Sequence, residues 1–221
     1  MKYLIFDAGP LINFAMNGSL YILESLKKEF DGEFLITKEV KQEIIDTPLE
    51  IKRFELEALQ LKDLLDRNII KLANITEKQI DELRYEREKI ISIANTTYKT
   101  KKDYIHLLDK GESAVMALSK IIKEPNMIVI DERTARMLCE NPSNLKKLLE
   151  KKLHTPVTAN KENYSKFTGY NIIRSTELAY LANKKNLLKI KDPRALDAIL
   201  YGLKFKGCSI SEEEIEEMKK L

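Results

Sequence analysis

Short apolar runs alternate with stretches of helical periodicity along this 221-residue chain. Tyr3–Phe6 is an apolar run that ends at Asp7, and Gly9-Pro10 then opens a helix, with proline where a missing N–H costs nothing. A second helix is predicted over Leu20–Phe30. Asp31-Gly32 makes a turn and Glu33–Ile36 a short strand. Thr37 caps a helix to about Asp46, with Val40 and Ile44 on its buried side. Thr47-Pro48 starts a long helix carried by Ile51, Phe54, Ala58, Leu61 and Leu65 to about Asp66. Ile69–Leu72 reads as a brief strand, and Thr76 begins a long charged helix to about Ala94.

Beyond the irregular stretch Asn95–Tyr104, the pattern predicts a helix over Lys110–Ile122 and a strand over Met127–Ile130 that ends at Asp131. Asn141-Pro142 closes one helix and starts the next, through about Lys152. Tyr170–Arg174 reads as the last strand, and Ser175 or Thr176 caps a helix to about Lys185. Asp192-Pro193 opens a helix that Gly207 ends, and Ser211 with Glu214 forms a capping box for the final one. Strands alternating with helices predict an α/β fold, a parallel β-sheet flanked by helices. Ligands gather at the C-terminal edge of such sheets, and Asp7 and Asp131 both stand at strand tips there.

Composition narrows the chemistry. Lys and Arg number 38 against 35 Asp and Glu, so the net charge of +3 does not by itself mark a nucleic-acid binder. Cys139 and Cys208 lie far apart with no CxxC spacing, which argues against a zinc knuckle or a disulfide scaffold. His106 and His154 are the only histidines, leaving little room for a histidine-rich metal centre or a histidine-based triad. No stretch approaches the roughly 20 apolar residues of a membrane span, and Met1-Lys2-Tyr3 runs into a strand without an apolar leader. The expectation is a cytoplasmic protein with no membrane partner.

Two further acids are suitably placed. Glu43 lies beside Ile44, at the border of an apolar helix face, and Glu112 has Val115 and Met116 at i+3 and i+4, so it points toward the core. Each has an ordinary explanation. Asp7 and Asp131 precede helices as caps do, Asp109 and Glu112 have capping-box spacing, and Glu43 fits an amphipathic border. Convergence of all four changes the energetics, because carboxylates about 4 Å apart repel by about 4 kcal/mol at an effective dielectric near 20. Such a cluster requires protons or a cation. With only oxygen ligands the fitting ion is Mg²⁺ or Mn²⁺, which neutralises the acids, engages a phosphate oxygen and activates water without a histidine base.

The series Leu4-Ile5-Phe6-Asp7, Val40-Lys41-Gln42-Glu43-Ile44, Gly111-Glu112-Ser113-Ala114-Val115-Met116-Ala117 and Ile128-Val129-Ile130-Asp131-Glu132-Arg133 resembles the PIN domain family, in its archaeal and bacterial branch. The resemblance covers about residues 1–140 by motif order. It implies a Rossmann-like three-layer fold in a PIN-like domain over 1–185, with a helical insertion at 47–108 and a C-terminal helical extension at 186–221. It also implies a metal-dependent endoribonuclease in which Asp7, Glu43, Glu112 and Asp131 hold Mg²⁺ or Mn²⁺ and serve catalysis. The partners it implies are RNA, a second copy in a homodimer and, for a toxin of a toxin–antitoxin pair, an antitoxin protein. Two features set this chain apart: the third acid is Glu112 rather than the commoner Asp, and Gly9 stands where a polar residue is usual.

Candidate RNA contacts are Arg133 and Arg136, within two helical turns of Asp131, and Lys99, Lys101 and Lys102, interleaved with Tyr98 and Tyr104. A solvated loop is the simpler explanation of the lysines, and surface ion pairs with Glu132 or Glu140 are the alternative for the better-placed arginines. Asp103 and Glu177 are candidate fifth acids, for which helix capping or surface pairing is the simpler explanation. The competing functional reading is a non-catalytic module that grips RNA or a protein. An aspartyl-phosphate phosphatase is disfavoured, since Gly9 occupies the place of its second aspartate.

Overall fold

The computed structural model describes residues 1–220; Leu221, the last residue of the predicted C-terminal extension, lies outside the described residues. The chain runs from β1 (Tyr3–Phe6) through α1 (Ala8–Met16) and α2 (Tyr21–Glu29) to β2 (Glu33–Ile36) and α3 (Lys38–Lys41). It continues through α4 (Glu55–Asp66), β3 (Lys71–Leu72), α5 (Glu77–Asn95), β4 (Tyr98–Lys99), α6 (Lys110–Ile121) and β5 (Asn126–Val129). Then come α7 (Arg133–Glu140), α8 (Pro142–Leu153), β6 (Thr158–Ala159), β7 (Ile172–Ile173), α9 (Ser175–Lys184), α10 (Ala195–Lys206) and α11 (Glu212–Lys220).

Five strands form one parallel sheet in the order β3-β2-β1-β5-β7. Ile5 pairs in register with Leu35 on one side and Ile128 on the other, so β1 is central. Leu4, Ile5 and Phe6 are all buried, as expected of a parallel strand covered on both faces. Helix α1 packs with α9 and α10, while α6 packs with α3, α5, β1 and β5, giving an α/β three-layer fold. From β1 the chain builds outward through β2 and β3 and then returns to place β5 and β7 on the opposite side. The switch point therefore lies between β1 and β5, where open α/β sheets form their ligand crevice. Asp7 follows β1 directly, and Asp131 follows β5 by two residues.

The chain departs from its periodicity in three places. The helix expected from Thr47 begins only at Glu55; Pro48–Glu50 makes a single 3₁₀ turn and Ile51 is extended at φ −116°, ψ 107°. Ile51 and Phe54, whose spacing predicted a buried face, are 42% and 41% exposed, so no core contact holds a helix through them. Second, α3 passes into a π-helical stretch over Gln42–Asp46, with Thr47 N–H donating to Gln42 O at 2.9 Å. The wider turn lets the consecutive Ile44 and Ile45 both reach the core and leaves Glu43 at the rim. Third, β4 and β6 form a separate antiparallel pair of two residues each, too short to register as periodicity. Tyr98 anchors it, buried and donating its hydroxyl to Pro142 O at 2.6 Å.

The C-terminal segment packs onto this body. Helix α10 contacts α1 and α9, and Arg174, at the end of the sheet, pairs with Glu214 of α11 at 2.8 Å. The capping box foreseen for α11 is present, with Ser211 N–H donating to Glu214 at 2.8 Å and Glu214 N–H to Ser211 Oγ at 3.1 Å. Among the described residues no helix is long and apolar enough to cross a membrane.

Candidate functional site

Each acid at the switch point is delivered by an identifiable local device. Asp7 is the residue before α1, placed as β1 ends and turns into the helix. Glu112 sits in the first turn of α6 through a reciprocal capping box: Glu112 N–H donates to Asp109 Oδ1 at 2.9 Å, and Asp109 N–H donates to Glu112 Oε2 at 3.0 Å. The capping role that the sequence offered for Glu112 is thus present, and it is also what carries Glu112 into the crevice. Glu43 arrives from the π-helical stretch after α3, which contacts α1, while α3 itself contacts α6.

The two glycines at this edge report how close the acids are. A Cβ built on Gly111 would lie 3.0 Å from Glu43 Oε2, 3.4 Å from Asp109 Oδ1 and 3.9 Å from Asp7 Oδ1. Three carboxylates therefore converge on one point above α6, and glycine is what leaves that point open. A Cβ on Gly9 would lie 3.7 Å from Asp7 Oδ2 and 3.9 Å from Asp131 Cβ, so Gly9 lies between the two strand-tip aspartates.

Burial without counter-charge dominates the electrostatics. Asp7 and Glu112 are 6% and 8% exposed and have no lysine or arginine partner among the described residues. Burial pushes the Asp7 carboxyl up to about 7; the charges of Glu43 and Asp109 add to the rise, and the backbone amides of Ala8 and Gly9 oppose it. Burial likewise pushes Glu112 up to about 9, with Asp7, Asp109 and Glu132 adding and the Asp109 amide opposing. Glu43 is exposed at the rim, and its carboxyl is also raised, by desolvation first and by Asp109 second.

Asp131 differs. Its Oδ2 accepts from Asn13 Nδ2 at 2.6 Å and from Ser175 Oγ at 2.7 Å, and its Oδ1 accepts from Ser175 N–H at 2.8 Å. Nor does it cap α7; Glu132 does, accepting from Ala135 N–H at 2.7 Å. Both oxygens of Asp131 are thus held by neutral donors from α1 and α9.

Sequence reasoning passed over three participants. Asp109 was read only as a cap, although it contributes charge to Asp7, Glu43 and Glu112. Asn13 could have been noticed as a polar residue among the buried positions Leu11, Phe14 and Ala15 of α1. Ser175 carried no signal beyond its capping propensity. Of the other acids, Glu177 is taken by Arg174, whose Nε donates to Glu177 Oε1 at 2.7 Å, and Asp103 turns its own loop through a carbonyl bonded to Thr100. Arg136 pairs with Glu140 at 3.7 Å and donates to Ser209 O at 3.3 Å, while Arg133 stands half-buried in the first turn of α7. Lys99 lies over the Tyr104 ring at 5.0 Å, and Lys101 and Lys102 are exposed on the same hairpin.

Asp7, Glu43, Asp109 and Glu112 make an all-oxygen donor set, the chemistry of hard cations such as Mg²⁺ or Mn²⁺. Among the described residues no three His, Cys, Asp or Glu groups, as they stand, are close enough together to hold a metal ion. Glu43 is exposed at the rim, Asp109 Oδ1 is held by the Glu112 N–H, and the open point over Gly111 lies within 4 Å of a carboxylate oxygen of each and of Asp7. The donor types are those a hard cation takes, and Asp7, Glu43, Asp109 and Glu112 are the residues that would hold one.

No family model, no curated protein and no solved structure matches this chain.

Proposed function

We propose that this protein is a divalent-metal-dependent endoribonuclease of the PIN type, with Asp7, Glu43, Glu112 and Asp131 as its acidic residues and Asp109 added at the rim. The observation that carries the reading is the pair Asp7 and Glu112: two carboxyls buried at the switch point of a parallel sheet, faced by further acids and by no cation. Burying such groups is unfavourable unless a proton or a cation compensates them. Mg²⁺ or Mn²⁺, when bound, supplies the positive charge that a phosphodiester oxygen needs and lowers the pKa of an attacking water.

The chain's own residues supply the rest. Asn13 and Ser175 hold the Asp131 carboxylate in one orientation, as a group that positions substrate or water must be held. With carboxyls raised to about 7 and about 9, Asp7 is partly and Glu112 largely protonated near neutral pH, so binding a cation there would release protons. Gly111 keeps backbone, rather than a side chain, against the acids.

The test uses a fluorescent single-stranded RNA with and without Mn²⁺. The wild type is expected to cleave it only with the metal, and Asp7→Asn and Glu112→Gln to lose cleavage by at least a hundredfold while still folded. Cleavage by either variant at the wild-type rate would end the proposal. A second reading is a binding module that does not cut. The three hydrogen bonds that occupy Asp131 favour it, because they leave that carboxylate little freedom to join a metal shell. Titration calorimetry separates the two: the nuclease reading requires Mn²⁺ binding that disappears in Asp7→Asn, and the module requires none.

A further inference from the structure

A groove of about 540 Å³ opens between the start of α7 and the end of α8. Its wall includes Glu132, Arg133, Thr134, Lys151, Lys152 and His154. Ser209 also lines it and donates its N–H to the backbone Asp131 O at 2.9 Å, and Glu132 and Arg133 follow Asp131 in the chain, so the groove adjoins the Asp131 backbone.

The charges in this groove are unspent. Neighbouring basic residues on the same helices are paired, Arg136 with Glu140 at 3.7 Å and Lys146 with Glu150 at 3.3 Å. Arg133, Lys151 and Lys152 have no carboxylate partner among the described residues, and the one acid in the wall, Glu132, is turned to cap α7. Lys151 and Lys152 in the last turn of α8 favour the helix dipole, which explains their position in sequence. It does not explain why Arg133 and the first turn of α7, with the N–H groups of Arg133 and Thr134 not used within the helix, face the same space.

We infer that this groove is the track for the phosphate backbone of a single RNA strand, leaving the acidic edge between the start of α7 and the end of α8, with Arg133, Lys151 and Lys152 as its phosphate contacts. The inference rests on the nucleolytic reading for the identity of the polymer. It also moves the RNA surface away from the Lys99–Lys102 hairpin. Tyr98, at the base of that hairpin, is fixed to Pro142, the opposite end of α8 from Lys151 and Lys152. Twelve residues of helix put about 18 Å between those ends.

The test measures binding rather than cutting. Fluorescence anisotropy with a twelve-nucleotide mixed-sequence RNA, in Ca²⁺ or without divalent ions, is titrated from 50 to 300 mM KCl. Lys151→Glu with Lys152→Glu is expected to weaken binding at least tenfold at 100 mM salt. It should also lower the slope of log affinity against log salt by about 1.4, or about 0.7 per lost phosphate contact. The milder Lys151→Gln with Lys152→Gln, which removes charge without reversing it, should weaken binding at least threefold and guards against a folding defect. Replacement of Lys99, Lys101 and Lys102 by glutamate should leave affinity within twofold. Unchanged affinity and slope in the groove variants, or a wild type that binds no RNA, overturns the inference. A wild type that binds through the groove but never cleaves with Mn²⁺ sinks the nuclease reading and leaves the track standing.

Discussion

Asp7 and Asp131 end neighbouring central strands, are both buried and stand on either side of one glycine. Their surroundings are opposite. Asp131 accepts three hydrogen bonds from Asn13 and Ser175, whereas Asp7 faces Glu43 and Asp109 and is raised to about 7. The strand tip determines where a carboxylate goes; the packing of other helices against that edge determines whether it is satisfied. At Asp131 two helices present donors, and at Asp7 the facing side chains are acids. The first arrangement stabilises a fixed anion, and the second stores unfavourable energy that a cation can relieve.

Mutations at the two positions should therefore act with opposite sign. The largest effect is expected for Asp131→Asn. Its amide nitrogen would face donors already aimed at an oxygen, and breaking a buried charge-assisted set of this kind costs about 3 kcal/mol. Urea denaturation at pH 7 reads this loss, and an unchanged midpoint would erase the distinction between the two aspartates.

Asp7→Asn combined with Glu112→Gln should go the other way. Both acids have folded-state values above the ordinary carboxyl values of 3.8 and 4.5, at about 7 and about 9. Below the ordinary values both folded and unfolded chains are protonated, and the native state is not penalised. As pH rises from about 4, the unfolded chain releases these protons first, so stability falls through about pH 7 for Asp7 and about pH 9 for Glu112, then levels. The neutral double variant removes that decline while glutamine keeps the capping geometry of α6. It should exceed the wild type by several kcal/mol at pH 8, less whatever burying the two amides costs. Melting temperatures between pH 4 and 9 without divalent ions check this; a wild type that gains stability over that range contradicts it.

The smallest effects concern the glycines that separate the two regions. Gly9→Ala meets only ordinary contacts at 3.7 and 3.9 Å and should gain about 0.5 kcal/mol, with divalent-ion affinity unchanged. Gly111→Ala places a methyl 3.0 Å from Glu43 Oε2, and that exposed side chain can swing aside. Stability should then move by less than about 0.5 kcal/mol while Mn²⁺ affinity falls severalfold by calorimetry. Equal Mn²⁺ affinity in the two alanine variants would mean that the open point over Gly111 is not where the acids meet.

Much of the fold was legible because it rests on local signals. The strands Tyr3–Phe6 and Glu33–Ile36, the Thr37, Thr76 and Ser211 caps and the Gly207 terminus appear where periodicity and cap chemistry put them, while the strands expected over Ile69–Leu72 and Tyr170–Arg174 shorten to two residues each. The helix start at Thr47 failed because Ile51 and Phe54 have the right spacing but no partner surface, and periodicity cannot see the partner. The β4–β6 pair was invisible because two residues carry no period and their pairing spans about 60 positions. At the site, Asp7, Glu43, Glu112 and Asp131 could be named from motif order, but Asp109 was hidden inside an ordinary capping box.

What the sequence by itself determined was the α/β layout and two aspartates at the ligand-bearing edge of its sheet, because both follow from short-range hydrophobicity and backbone preference. Only the tertiary structure decided which aspartate is satisfied, that Gly111 leaves a gap where acids face one another, and that unpaired basic residues gather beside Asp131. Those properties depend on which polar groups meet across more than 100 residues of chain, as Asn13 meets Asp131 across 118 positions. That meeting is set by how helices pack on the sheet, and no local pattern encodes it.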